Sequence, residues 1–197
     1  MDILLIANKA DLKYRIFNKN LLELTLAQLD HAHTVRIYTP EKLISKSIKN
    51  KLLIARNEID AISKFATNKA NFIVITRLAL TNINFDRLIS YHNNHDKLLT
   101  LVAKNFVLNK SIPIYKLDAK KNVINVTRKR FADCGIYLFK GGITFKDYKD
   151  IFTVILDMIA KKKVKGFIHK GYWWTSYNIQ NKNKYKGKNN DKFIDKG

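Results

Sequence analysis

The segment Phe72-Ile-Val-Ile-Thr76 is an unbroken run of aromatic and β-branched residues. A strand with one wet face alternates apolar and polar residues; a continuous run belongs to a strand covered on both faces. Such a strand requires layers above and below it, and this constrains the fold more than any other feature of the chain. Ile3 to Ala7 and Leu98 to Ala103 have the same character, and Thr34 to Tyr38 is a shorter β-rich stretch. Helical spacing lies between these runs. Leu21 to Leu29 carries apolar residues at 21, 22, 24, 26 and 29, with Asn20 placed as a cap. Glu58 to Ala66 gathers Ile59, Ile62, Phe65 and Ala66 on one side, and Asp86 to Asn93 is again helical. Pro40-Glu41 can open a further helix, with Thr39 as its cap. This alternation predicts an α/β fold: a Rossmann-like three-layer sandwich on a mostly parallel mixed sheet.

The second half changes rhythm. Pro113 to Tyr115, Val123 to Val126 and Gly135 to Phe139 read as strands joined by short polar turns, which predicts antiparallel or mixed pairing beside the parallel part. Lys149 to Ala160 is a closing amphipathic helix, with Ile151, Phe152, Ile155, Leu156 and Ile159 toward the core. From Ile179 the chain is almost wholly Lys, Asn, Asp and Gly, a composition that predicts disorder. The expected organisation is therefore one α/β domain over residues 1–178 and a basic tail over 179–197.

All seven glycines lie at or after Gly135. The first 134 residues thus contain no glycine-built phosphate cradle, which needs glycine for positive φ and close backbone approach. The formal net charge is +21, with 30 Lys against 7 Arg. The tail holds a net +4, so +17 remains on residues 1–178. Two explanations stand. Lys, Asn and Ile are the residues that an AT-rich genome favours, so the charge can be compositional drift; or the chain is a basic protein with a polyanion partner, nucleic acid or acidic protein. The single cysteine, the absence of any apolar run near the ~20 residues of a membrane span, and Asp2 where a leader would be basic predict a cytoplasmic protein with no membrane partner.

Few side chains are grouped for chemistry. Cys134 has no activating neighbour in sequence and reads as a packing residue. His92 and His95, in Tyr-His-Asn-Asn-His-Asp, read as a solvated helix end or, less simply, a metal pair. Asp2, Asp60, Asp86, Asp118, Asp133 and Asp150 stand near segment ends, without a DxD or ExxH spacing. The cluster Gly171-Tyr-Trp-Trp174 could stack on a sugar or base, or close the core; one tryptophan reads as core and the other stays open.

The string from Phe72 to His92, the strand Leu98 to Val102, Asp133-Cys-Gly-Ile-Tyr-Leu-Phe139, Asp150-Ile-Phe152, and Lys165-Gly-Phe-Ile168 followed by Gly171-Tyr-Trp173 occur in an order and spacing that resembles the sugar-1-phosphate nucleotidyltransferases. Phe17 to Glu23 is similar to the family's entry into its first long helix. The resemblance implies a Rossmann-like sheet and transfer of a nucleotidyl group from an NTP to a sugar 1-phosphate, with Mg²⁺ held by two aspartates. The chain departs from that pattern at each catalytic place. Asn8 to Arg15 replaces the glycine-rich loop, and Glu58-Ile-Asp-Ala61 stands for a glycine-bearing base-contact segment. The first metal aspartate aligns with Arg77 and the second with Thr175.

Other positions persist. Lys129 stands where the family contacts a sugar phosphate, or else belongs to an ordinary basic turn, Arg128-Lys-Arg130. Asp133 stands at a sugar-contacting Asn, or else caps a turn. Tyr172 and Trp173 match a core-closing aromatic pair. The resemblance therefore implies a nucleotidyltransferase-like pseudoenzyme. Its expected binding residues are Arg77, Lys129, Asp133, Tyr172 and Trp173, its expected partner is a sugar phosphate or nucleotide, and no cofactor is expected unless the Mg²⁺-dependent activity is retained.

Overall fold

The computed structural model describes residues 1–13, 15–16, 18–29, 33–40, 51–105, 112–127 and 131–176. The helix expected from Pro40-Glu41, the Arg128-Lys129-Arg130 turn and the tail 179–197 lie outside the described residues.

The covered strand is Asn71–Ile75 (β5), and its neighbour is Asp2–Ile6 (β1). They pair in parallel with Leu4 opposite Val74. β1 continues in parallel to Thr34–Tyr38 (β4). On the other side β5 meets Phe131–Lys140 (β10), which runs antiparallel. β10 is antiparallel to Leu99–Lys104 (β7), and β7 is parallel to Val164–Ile168 (β11). Along the path β11-β7-β10-β5-β1-β4, five strands therefore point one way and β10 alone points back. Ile114–Leu117 (β8) and Val123–Thr127 (β9) form an antiparallel ribbon on the first residues of β10. The antiparallel change in the second half is the one the turn spacing predicts.

Alternation along each strand sends neighbouring residues to opposite layers. Leu4, Ile6, Phe72 and Val74 pack with Ile59, Ile62 and Phe65 of Glu58–Ala66 (α3) and with Val154, Ile155 and Met158 of Ile151–Ala160 (α5). Ile3, Leu5, Ile73 and Ile75 pack with Leu21, Leu22 and Leu26 of Leu21–Leu29 (α2) and Leu88 of Phe85–Asn93 (α4). Helices on both faces of one mostly parallel sheet are the three-layer sandwich.

The caps follow local chemistry. The Asn20 side chain accepts from the Glu23 N–H at 2.8 Å, and Glu23 accepts from the Asn20 N–H at 2.8 Å, closing α2 reciprocally. Asp150 and Thr153 do the same for α5.

Short elements escaped the sequence pattern. Lys9–Lys13 (α1) and the hairpin Arg15–Ile16 (β2) with Lys19–Asn20 (β3) follow β1. Ala79–Thr81 (β6) pairs with Trp173–Thr175 (β12) in a small second sheet. Two expectations are corrected here. His92 is not a solvated helix end: it is fully buried, with Nδ1 at 2.8 Å from the Thr100 hydroxyl, while His95 Nε2 meets the same hydroxyl at 2.7 Å. Leu156, expected toward the core, is exposed on α5.

Candidate functional site at the carboxyl edge

Because β1, β5, β7 and β11 share a direction, their carboxyl ends share an edge of the sheet. Asn8, Arg77, Asn105 and His169 follow those ends. β10 runs the other way, so its early residues Ala132 to Gly135 arrive at the same edge. Open α/β sheets bind ligands there, because chain reversals leave a crevice between loops.

Asp133 is the centre of this edge. It is only 1 % exposed. Its Oδ1 accepts from the Gly135 N–H at 2.7 Å, and Oδ2 accepts from the Tyr137 hydroxyl at 2.6 Å and the Tyr115 hydroxyl at 3.2 Å. The Arg77 Nη1 lies 3.5 Å from Oδ2 and donates to the Asp133 carbonyl at 3.1 Å. A buried carboxylate is tolerated only when donors replace its water, and four groups do so here. Burial, then the neighbouring Asp133, push the Tyr137 and Tyr115 hydroxyls well above their ordinary ionisation range, so both remain donors. For Arg77, burial opposes the charge, but Asp133, Tyr137 and Tyr115 outweigh it and its pKa rises.

The backbone makes room for this arrangement. The β10–β7 register shifts between Asp133 and Tyr137, and Gly135 in that bulge has φ +69°. The absent Cβ matters as much as the angle. A methyl group at Gly135 would come within 2.7 Å of Arg77 Cγ and 2.8 Å of Arg77 Cβ. The Thr76 N–H donates to the Gly135 carbonyl at 2.8 Å, tying the two strands at this point.

Two further carboxyl groups sit at the edge. Glu58 opens α3; burial, then Asp150, push its pKa up, Arg77 pulls it back, and Oε1 is buried without a hydrogen-bond partner. Asp11, in α1, is 2 % exposed. It accepts from the Asn8 N–H at 3.1 Å and the Ser176 hydroxyl at 3.4 Å. Burial raises its pKa to about 6. Nearby, Lys104 donates to the Gly171 carbonyl, and His169 Nε2 lies 2.9 Å from the Tyr172 carbonyl and 3.3 Å from the Thr81 hydroxyl.

The structure thus brings Arg77 and Asp133 into direct contact. Thr175 pairs in register with Ala79, two residues beyond Arg77. Trp173 is buried in the core, whereas Tyr172 is 42 % exposed and does not close it. Trp174 is half-buried. Lys129 lies outside the described residues. Cys134 is buried, and burial followed by Asp133 pushes its thiol up, which suits packing and not nucleophilic attack. Tyr115, Tyr137, Glu58 and Asp11 were not singled out from the sequence. The signal that could have found the tyrosines is Asp133 itself, since an acid inside an apolar strand demands donors.

Neither Asp133 nor Asp11 is free to ligate a divalent metal. Mg²⁺ needs oxygen lone pairs in octahedral array. Those of Asp133 are taken by Gly135, Tyr137, Tyr115 and Arg77, and Asp11 is bound by its own loop and by Ser176. At the position after β5 stands a guanidinium, which repels a cation. Among the described residues no three His, Cys, Asp or Glu side chains are grouped to hold a metal ion. Clefts of about 310 and 410 Å³ lie along α3 against residues 142–149, and neither is lined by Arg77 or Asp133.

No protein-family model and no curated protein sequence matches the chain. Solved structures do. A protein of Bacillus anthracis assigned as a glucose-1-phosphate thymidylyltransferase, in complex with sucrose, superimposes with a TM-score of 0.74 at 11% identity, covering 93% of this chain and 94% of that one. HddC from Yersinia pseudotuberculosis gives a TM-score of 0.69 at 17% identity, covering 94% and 99%; it is also known complexed with GMP-PN. The inositol-1-phosphate CTP transferase of T. maritima gives 0.64 at 10% identity, covering 88% of each chain. At these identities the likeness is one of fold: the chain has the Rossmann-like fold of these structures.

Proposed function

We propose that this protein is a nucleotidyltransferase homologue that binds a sugar phosphate or nucleotide at the carboxyl edge and has lost metal-dependent nucleotidyl transfer. One observation carries the reading: where the resemblance calls for a metal-binding carboxylate after β5, Arg77 stands with its guanidinium on Asp133. In-line attack on an α-phosphorus builds negative charge on the phosphates and on the leaving pyrophosphate, and a divalent ion offsets it. The donor set here supports binding of a phosphate-bearing ligand without supporting that ion. Arg77, Tyr172 and Lys129 are the groups to which ligand contact is assigned, while Asp133 and Trp173 hold the edge in shape. The missing glycine loop between β1 and α2 agrees with weak purchase on a triphosphate.

The test is a coupled pyrophosphate-release assay with the common NTPs, a panel of sugar 1-phosphates and Mg²⁺. The expected outcome is no turnover above a no-enzyme control. Robust turnover that is lost on substitution of Arg77 would overturn the proposal.

A further inference from the structure

We infer that Arg77 is a built-in cation of the carboxyl edge, so that its anionic ligand, a phosphate monoester or nucleotide, binds without a divalent metal. The inference rests on the proposed function for the location of the ligand, and adds how the ligand's charge is met.

Three observations support it. First, the Arg77–Asp133 pair is loose. Its N···O separation is 3.5 Å, against the ~2.8 Å of a tight charge-assisted bond. The shorter contacts of Asp133 are with Tyr137 and Gly135, at 2.6 and 2.7 Å. The short hydrogen bonds to the carboxylate thus come from hydroxyl and amide donors, and Arg77 stays beside it as an ion pair whose N–H groups are not committed to the carboxylate. Second, Arg77 is seated. Gly135 gives up a side chain where Arg77 Cβ and Cγ pass, and the Asp133 carbonyl takes one N–H of Nη1. A guanidinium carries five N–H groups in a planar fork, and a seat that uses those of one nitrogen leaves others for a ligand. Third, the Arg77 side chain is 29 % exposed while Asp133 is 1 % exposed. Solvent, and hence a ligand, reaches the cation and not its counter-ion.

Isothermal titration of the full chain with glucose 1-phosphate and with CTP, each in excess EDTA and in excess Mg²⁺, tests this. The expected result for at least one probe is an affinity equal within about twofold in the two buffers, and weakened roughly tenfold or more by Arg77→Gln, as for loss of a charge-assisted bond. Arg77→Gln leaves Asp133 without its cation, so circular dichroism and Arg77→Lys accompany it. Arg77→Lys keeps the charge and loses the fork, and binding between wild type and Arg77→Gln is expected. Binding that requires Mg²⁺, or that survives Arg77→Gln in a folded protein, would overturn the inference and leave the proposed binding site standing. Absence of binding by either probe in both buffers would overturn both.

Discussion

Gly135 illustrates how much one residue can fix. Its φ of +69° is costly for any side chain, and its Cβ position is already occupied by Arg77. Gly135→Ala therefore meets two penalties: left-handed backbone strain of about 1–2 kcal/mol and displacement of a side chain that holds a buried carboxylate. The expected loss is about 2–4 kcal/mol in chemical denaturation. An alanine at Gly142 provides the control. That glycine also has positive φ, at +82°, but nothing stands within 4 Å of its Cβ position, so only the backbone penalty applies. If both alanines cost the same, the seat for Arg77 carries no energy. The resemblance pointed to Arg77 and Asp133 in sequence, because each occupies a recognisable position. Their mutual contact was not legible, since it depends on a register shift within β10 that no spacing reveals. Tyr115 was invisible for the same reason: the Phe131↔Tyr115 pairing of β10 with β8 delivers it to Asp133.

At the scale of elements, what the sequence could state was what local periodicity dictates. The bounds of α2 and α3 were legible because apolar spacing marks them, and at α2 Asn20 marks the same start. β6 and β12 were not, because three-residue strands have no period and pair across nearly half the chain. The start of α5 lies between these cases. The amphipathic pattern starts at Lys149 in the sequence, but the helix begins at Ile151, because Asp150 closes a capping box with Thr153. Its carboxylate accepts from the Thr153 N–H at 2.8 Å. Asp150→Ala removes that acceptor and leaves an N–H without a partner, an expected loss of about 1–2 kcal/mol. Urea denaturation checks the magnitude. Asp150→Asn keeps the acceptor and is expected to restore most of it; a full loss with asparagine would place the effect instead in the carboxylate's charge at the N-terminus of α5.

At the scale of the whole molecule, two buried titrating groups, His92 and Asp11, have opposite effects on stability. His92 is held neutral by burial first, then by His95 and Lys140, with the Phe139 carbonyl working the other way; its pKa falls from 6.5 to about 4. Between those values the unfolded chain takes up a proton that the folded chain refuses, so stability is lost as pH falls. Asp11 behaves inversely. Burial raises it from 3.8 to about 6, against the Asn8 N–H and the Ser176 hydroxyl, so over that window the folded chain keeps a proton the unfolded chain has released. Stability from this group is present below 3.8 and is lost as pH rises. Each displacement corresponds to about 1–3 kcal/mol across its window. In the parent protein the two slopes oppose one another between about pH 4 and 6. The single variants separate them. Asp11→Asn is expected to gain stability relative to the parent as pH rises from about 4 to 6.5, and His92→Gln to gain relative to the parent as pH falls over the same range. Urea midpoints for the three proteins through that range measure both differences directly. A variant-minus-parent difference that stays flat with pH in either case would mean that the group concerned titrates at its ordinary value, and that its burial does not govern the acid response of the fold.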